Sequence, residues 1–316
     1  MFEWFANIFS ELHQHVFESG VLPVVYALGL GGWAEQAFDA TEIFLVGAIE
    51  ITLLAIVFGW LEKWRPVEVQ LDAATRKLDV FYTLLNRLGF VPLLMFVLLT
   101  PLIDAIDTEM RMADIIPPSL ESWMPWLNSA PFWSFLFYLV LLDFVSYWLH
   151  RWQHQFHWWW SLHSLHHAQR EMSFWSDNRN HLLDVFLIDG IFALIALLIG
   201  VPPAQFVALV VASRVVESLS HANCRLSFGR VGEFLLVSPR FHRVHHAIGL
   251  GHEGKAKGCN FAVLFPVWDV LFGTANFEPV YPPTGVRDQL QGRDYGDTFM
   301  NQQWLGIKRL FNSRHS

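Results

Sequence analysis

Ten of the fifteen histidines in this 316-residue chain are candidate metal ligands, eight of them clustered at spacings that suit metal binding. His150 and His154 are four residues apart. His163, His166 and His167 stand at i, i+3 and i+4, and His242, His245 and His246 repeat that spacing. On a helix such residues share one face, about 5–6 Å apart at Cβ, so their imidazoles converge. His181 and His221 stand alone, each at the end of an apolar stretch. His13, His15, His157, His252 and His315 have no such company and are expected to be ordinary surface or core residues, not ligands.

Imidazole suits zinc, copper, iron and nickel, so ligand type alone does not choose the ion. A structural zinc takes four ligands and a catalytic zinc about three plus water. Ten is too many for one ion. Two ions with four or five imidazoles each would use them all and leave room for O2. A glutamate base in the zincin position is missing, since Arg151 follows His150. Glu-x-x-His pairs, the mark of carboxylate di-iron bundles, are absent too. A pair of irons held by histidine alone survives this elimination, with zinc a possible replacement in purified protein.

Metal-bound histidines usually give their second N–H to a carboxylate or carbonyl. Asp184 lies three residues after His181, and Glu217 four before His221, so each is expected to orient its neighbour. Asp143, Tyr147, His150 and His154 share one helix face, and an acid inside a membrane is costly enough to suggest a function. Asn223, two residues after His221, is expected among the same outer supports. No role is assigned to Glu50, and Trp158, Trp159 and Trp160 are expected to form an interfacial belt.

The elements that must carry these residues are expected to be membrane helices, in an all-α fold with a cytosolic helical cap around the dimetal site. The chain is 53% hydrophobic and only 16% charged, with 28 Phe and 15 Trp, against about 25% charged in soluble proteins. Apolar stretches at 43–60, 80–103, 132–149, 182–200 and 204–219 give four to five spans, each near the roughly 20 residues that a bilayer needs. Arg87 is a flaw in the second, and Val201-Pro202-Pro203 reads as a tight turn between the last two. The glycine-rich stretch 21–33 is too short to span with certainty. Lys and Arg are absent before Lys63, dense at 63–77, scarce at 104–131 and frequent from Arg151 onward outside the last hairpin. The positive-inside rule then puts the N-terminus outside and the C-terminal third inside. All ten candidate histidines, His181 and His221 included, are then expected at one depth, on the cytosolic side. The net charge of −8 and the lack of a basic stripe give no sign of nucleic acid, and none is expected as a partner. Cys224 and Cys259 are expected to be reduced, and no signal peptide is visible after Met1.

At the histidine clusters the sequence resembles the fatty acid hydroxylase/sterol desaturase superfamily of membrane di-iron enzymes, over about 137–274. The resemblance lies in Leu142-Asp143 through His150-Arg151, His163 to His167, Ser220-His221-Ala-Asn223, Ser238-Pro239 through His245-His246, Asn260-Phe261, and Trp268-Asp269 through Gly273-Thr274. Where relatives often carry His-Pro-x-Glu, this chain has His181-Leu-Leu-Asp184. The resemblance therefore reaches the superfamily and not a substrate. It implies a membrane region at 1–131, a catalytic region at 132–276 and a cytosolic tail at 277–316, in one structural unit. It further implies O2-dependent hydroxylation of a fatty-acyl, alkyl or sterol-like lipid, with desaturation as the rival outcome. All ten paired or isolated histidines would be ligands, with no catalytic residue beyond them. No cytochrome b5 domain is visible, so electrons are expected from a separate cytochrome b5, ferredoxin or reductase. A reading from another class is a membrane metal carrier; against it, the histidines gather at one face and do not run through the spans.

Overall fold

A computed structural model describes residues 2–69 and 72–311. The described residues form helices and loops, without a β-strand. The N-terminal part runs α1 (Phe2–Val16), α2 (Leu22–Ala27), α3 (Ala34–Trp64), α4 (Ala73–Arg87), α5 (Phe90–Met112) and α6 (Leu120–Trp123). There follow α7 (Pro131–Gln155), α8 (His157–His167), α9 (Leu182–Leu198) and α10 (Pro203–His221). Short helices α11 (Gly229–Leu235), α12 (Pro239–His245) and α13 (Val267–Leu271) precede α14 (Phe299–Phe311).

Among the described residues, three helices are long and apolar enough to cross a membrane: residues 31–64, which contain α3, then α5 and α7. Large apolar side chains such as Leu53, Ile56, Leu93 and Phe96 stand exposed on α3 and α5, as a lipid-facing surface requires. The Pro-Pro turn is present. Gly200 ends α9 at φ 62°, and Pro203 opens α10, where a missing N–H costs nothing. The hairpin helices are shorter than α3, at 17 and 19 residues. The segment 21–33 holds only six-residue α2 and a short 3-10 turn.

The expected continuous stretch 80–103 is broken, and the reason is local. Gly89 adopts φ 92°, a left-handed conformation open to glycine, so α4 ends before the membrane helix α5 begins. Asp72 caps α4, its carboxylate accepting from the Thr75 N–H at 2.7 Å. Arg87 is therefore not a flaw within a span; it closes α4. Its guanidinium pairs with Glu50 of α3 and, at 2.8 Å, with Asp177, and donates to Ser218 of α10 at 2.8 Å. Glu50, left without a role by the sequence, is one pole of this clamp. Close by, α3 meets the end of α4 backbone to backbone: a Cβ on Gly47 would lie 1.7 Å from the Arg87 carbonyl oxygen.

Candidate metal centre

The last turns of α7, α8, α10 and α12 meet, and their histidines form two groups. One nitrogen each of His150, His154, His167 and His245 lies within 4.8 Å of the others, and the same holds for His166, His221, His242 and His246. His163 joins the first group, with Nε2 3.2 Å from Nε2 of His167. The groups abut, the His167 and His246 rings stacking at 4.3 Å. Neighbours in sequence serve different groups: His167 and His245 face one, His166 and His246 the other. A helix turns about 100° per residue, so each His-His doublet addresses two centres from one backbone position.

Hydrogen bonds to the far nitrogens fix five rings. His150 Nδ1 donates to the Phe261 carbonyl at 2.8 Å, His154 Nδ1 to Lys257 at 3.3 Å and His245 Nδ1 to Cys259 at 2.7 Å. His163 Nδ1 meets the Asp184 carboxylate at 3.1 Å, and His221 Nδ1 donates to the Glu217 carbonyl at 2.8 Å. In each ring the single proton of a neutral imidazole is thereby placed on Nδ1, leaving a bare lone pair on Nε2. Four such lone pairs, from His150, His154, His163 and His245, converge in the first group. Only a cation turns that convergence from repulsion into binding. Nε2–Nε2 separations of 3.1–3.2 Å recur in both groups. Ligands about 2.1 Å from a shared ion stand about 3.0–3.4 Å apart, so the residues fit two metal ions.

Burial, and then the neighbouring imidazoles, hold His166, His167, His242, His245 and His246 well below the ordinary histidine value of 6.5. In the unfolded chain these rings take up protons as pH falls through 6.5; in the fold they do not. Their contribution is complete above that pH and declines below it, by up to about 1.4 kcal/mol per pH unit for each ring. The metal-free protein is therefore expected to lose thermal stability between pH 7 and pH 5. A melting temperature that is flat or rising over that range would contradict this.

The outer residues differ from the sequence expectations in instructive ways. His181 is not brought to either group: its Nε2 donates to the Gln303 carbonyl at 2.8 Å, and its Nδ1 caps α9 by accepting from Leu183 N–H at 3.1 Å. Asp184 supports His163 rather than His181, and it also accepts from Gln153 and, at 2.7 Å, from Trp159. Glu217 serves His221 through its backbone carbonyl. Asp143 touches no grouped histidine; its carboxylate accepts from the Leu264 and Phe265 amides and the Trp268 indole at 2.8–3.0 Å. Asn223 ties the end of α10 to the 67–68 backbone by three hydrogen bonds of 2.8–3.1 Å. The three tryptophans do not form a belt, for Trp159 is buried on Asp184 and Trp160 packs on His154 and His167. His13 is a satisfied core residue, bonded to the Phe38 carbonyl at 2.9 Å. His15 and His157 are exposed, and His315 lies outside the described residues.

These placements give a pair of contrasting substitutions. Asp184→Asn removes the carboxylate from His163, and a loss of about 10–100-fold in metal affinity or turnover is expected. Glu217→Gln keeps the carbonyl that holds His221 and is expected to stay close to the unaltered protein. Equal metal affinity and turnover in both variants would refute the assignment.

Sequence reasoning missed the residues that act through backbone carbonyls. Asp269 accepts from the Phe261 and Ala262 amides, both at 2.8 Å, and from the Thr274 hydroxyl. Asn260 sits at φ 57° and is bonded to the Phe241 and Asn276 backbones; asparagine tolerates this left-handed turn. Together they aim the Phe261 carbonyl at His150. The pattern Asn260-Phe261 and Trp268-Asp269 was visible, but side-chain types do not reveal which carbonyl a segment presents.

A helical bundle with apolar membrane-length helices and paired all-histidine groups defines a class of membrane metalloprotein. Residues 135–274, which supply both groups, match the family model described as fatty acid hydroxylase. That match and the relatives below support a likeness of this region to the fatty acid hydroxylase/sterol desaturase superfamily. Human alkylglycerol monooxygenase is 27% identical over 73% of the chain and 46% of its own length. Ornithine lipid hydroxylase OlsE of Rhizobium tropici is 26% identical over 81% of the chain and 75% of its own length. A rice very-long-chain aldehyde decarbonylase, GL1-6, is 25% identical over 60% of the chain and 31% of its own. The chain thus spans about half the length of the alkylglycerol monooxygenase that it matches. No solved structure gives a significant match.

Proposed function

We propose that this protein is a membrane-bound oxidoreductase that holds two iron ions and hydroxylates a C–H bond of a lipid with O2. The observation that carries the reading is the pair of abutting histidine groups, five of whose rings have a fixed tautomer with the Nε2 lone pair turned inward, beside the end of the membrane-length helix α7. Relatives named monooxygenase and hydroxylase support hydroxylation. The balance is RH + O2 + 2 e− + 2 H+ → ROH + H2O, with the electrons supplied by a separate cytochrome b5, ferredoxin or reductase.

When bound, the irons supply the activation of O2, a chemistry that amino-acid side chains lack. The chain holds and orients them. His150, His154, His163, His167 and His245 would hold one ion, and His166, His221, His242 and His246 the other. Asp184 and the carbonyls of Phe261, Lys257, Cys259 and Glu217 keep protons on the outer nitrogens. The buried walls, with Trp160 and Phe261 against the first group, exclude water from the ligands. The catalytic region is 132–276, carried by the membrane part before it and followed by the 277–316 tail. The N-terminus lies outside, and the histidines and α14 on the cytosolic side.

The deciding experiment supplies iron-loaded protein with a reductant, O2 and candidate lipids, and follows product mass. Gain of one oxygen is expected. Loss of two hydrogens would make it a desaturase, and metal transport without turnover would overturn the enzyme reading. Lipid profiles of cells with and without the protein would name the substrate. Tag accessibility in intact cells is expected to place the two ends on opposite sides; both on one side would overturn the proposed topology.

A further inference from the structure

His167 lacks what the five anchored rings have. Its Nε2 faces His154 and His163, yet its Nδ1 is buried without a hydrogen-bond partner. A ring that meets a cation through Nε2 must carry its proton on Nδ1. Left without an acceptor, such a buried N–H is destabilising.

The ring of His252 stands 4.7 Å from that of His167, nearly perpendicular to it at 83°. His252 Nε2 is 3.1 Å from the carbonyl oxygen of Gly285, which can only accept, so the ring's proton lies on Nε2. In a neutral imidazole that leaves the other nitrogen, Nδ1, without a proton. Nδ1 is then a bare lone pair, and it too is buried without a partner. A donor short of an acceptor and an acceptor short of a donor occupy adjoining rings. Two imidazoles joined by an N–H···N bond of about 2.9 Å have centroids about 5 Å apart, and these two rings are within that reach.

The backbone holds His252 there. Gly249 turns the chain at φ 90°, and a Cβ on Gly251 would lie 1.9 Å from the His245 carbonyl oxygen. The loop is pressed onto the end of α12. Trp160 walls the pocket, 5.3 Å from His167 and 5.1 Å from His252, centroid to centroid.

We infer that His252 is the outer partner of His167: its Nδ1 accepts the His167 Nδ1 proton and holds that ligand in its metal-binding tautomer. The inference rests on the reading that the two groups bind metal. It makes His252 a positioning residue and, as the sequence leads one to expect, not a ligand.

Cobalt(II) titration of the purified, metal-free full-length protein, followed by the visible spectrum of the bound ion, tests this without turnover. The unaltered protein is expected to take up two ions. In His252→Leu one equivalent is expected to bind about 10–100-fold more weakly, with the other unchanged. His252→Gln keeps an acceptor for His167 and a donor for Gly285, and is expected to restore binding to within about threefold. Two unchanged equivalents in His252→Leu would overturn the inference. So would His252→Gln binding as weakly as His252→Leu, since packing and not the acceptor would then matter. Fewer than two ions on the unaltered protein would overturn the dimetal reading itself, and the inference with it.

Discussion

Alanine at His242 is expected to strip one metal ion from the protein and leave the other, and alanine at His245 to do the converse. The two residues are three apart on α12 yet serve different groups. His242 Nε2 stands 3.1 Å from Nε2 of both His221 and His246, so its loss opens the second group at its middle. His245 Nε2 is buried without a partner among the first group, while its Nδ1 is anchored on Cys259. Losing an outer support typically costs about 10–100-fold in affinity or activity. Losing the ligand itself is expected to exceed that range, with turnover abolished in both variants because the proposed chemistry needs both ions. Metal analysis per chain is the check. Retention of two ions in either variant would mean that its histidine is not a ligand.

Arg87→Met is expected to be the most destabilising single change outside the metal centre. Arg87 is buried with both of its carboxylate partners, Glu50 and Asp177. Breaking a buried pair typically costs about 3–5 kcal/mol, because the surviving charge is left without compensation; here two survive. The same reasoning predicts rescue. Arg87→Met combined with Glu50→Gln and Asp177→Asn removes both carboxylates that Arg87 leaves behind, and much of the lost stability is expected to return. Thermal unfolding in detergent separates the outcomes. A single variant as stable as the unaltered protein, or a triple variant no better than the single, would show that the clamp is not what joins α3, α4 and α10.

Most of the architecture was legible because its signals are periodic or compositional. The doublets His166-His167 and His245-His246, with a histidine three or four residues before, carry the helical repeat in plain view. The apolar runs that became α3 and α7 were equally open to reading. What was lost lay in long-range geometry. Arg87 looked misplaced because its partners lie 37 and 90 positions away. Asp184 was assigned to His181, three residues off, whereas tertiary packing delivers it to His163. His181 was grouped with the ligands by its position at a helix start, but α14 claims its ring. No spacing rule announces that a helix made more than a hundred residues later will supply the Gln303 carbonyl. The break at Gly89 was hidden by apolar residues on both sides; only its backbone angle shows that one run became two helices.

That packing of α14 bears on how the protein is made. The helix lies against α8: Arg309 Nε donates to the Ser161 carbonyl at 3.1 Å, and Gln303 reaches Tyr82 of α4 at 3.1 Å and the first amide of α9 at 2.8 Å. Gly306 leaves no room for a side chain, since a Cβ there would lie 2.3 Å from the His181 ring. Every histidine of both groups is translated before α14. A ribosome that has reached only residue 298 has released all the grouped histidines, but not the helix that braces the shelf bearing His163, His166 and His167. On the proposed dimetal reading, an ion arriving during synthesis would meet ligands on an unbraced α8, and secure loading is expected only after the chain has passed residue 311.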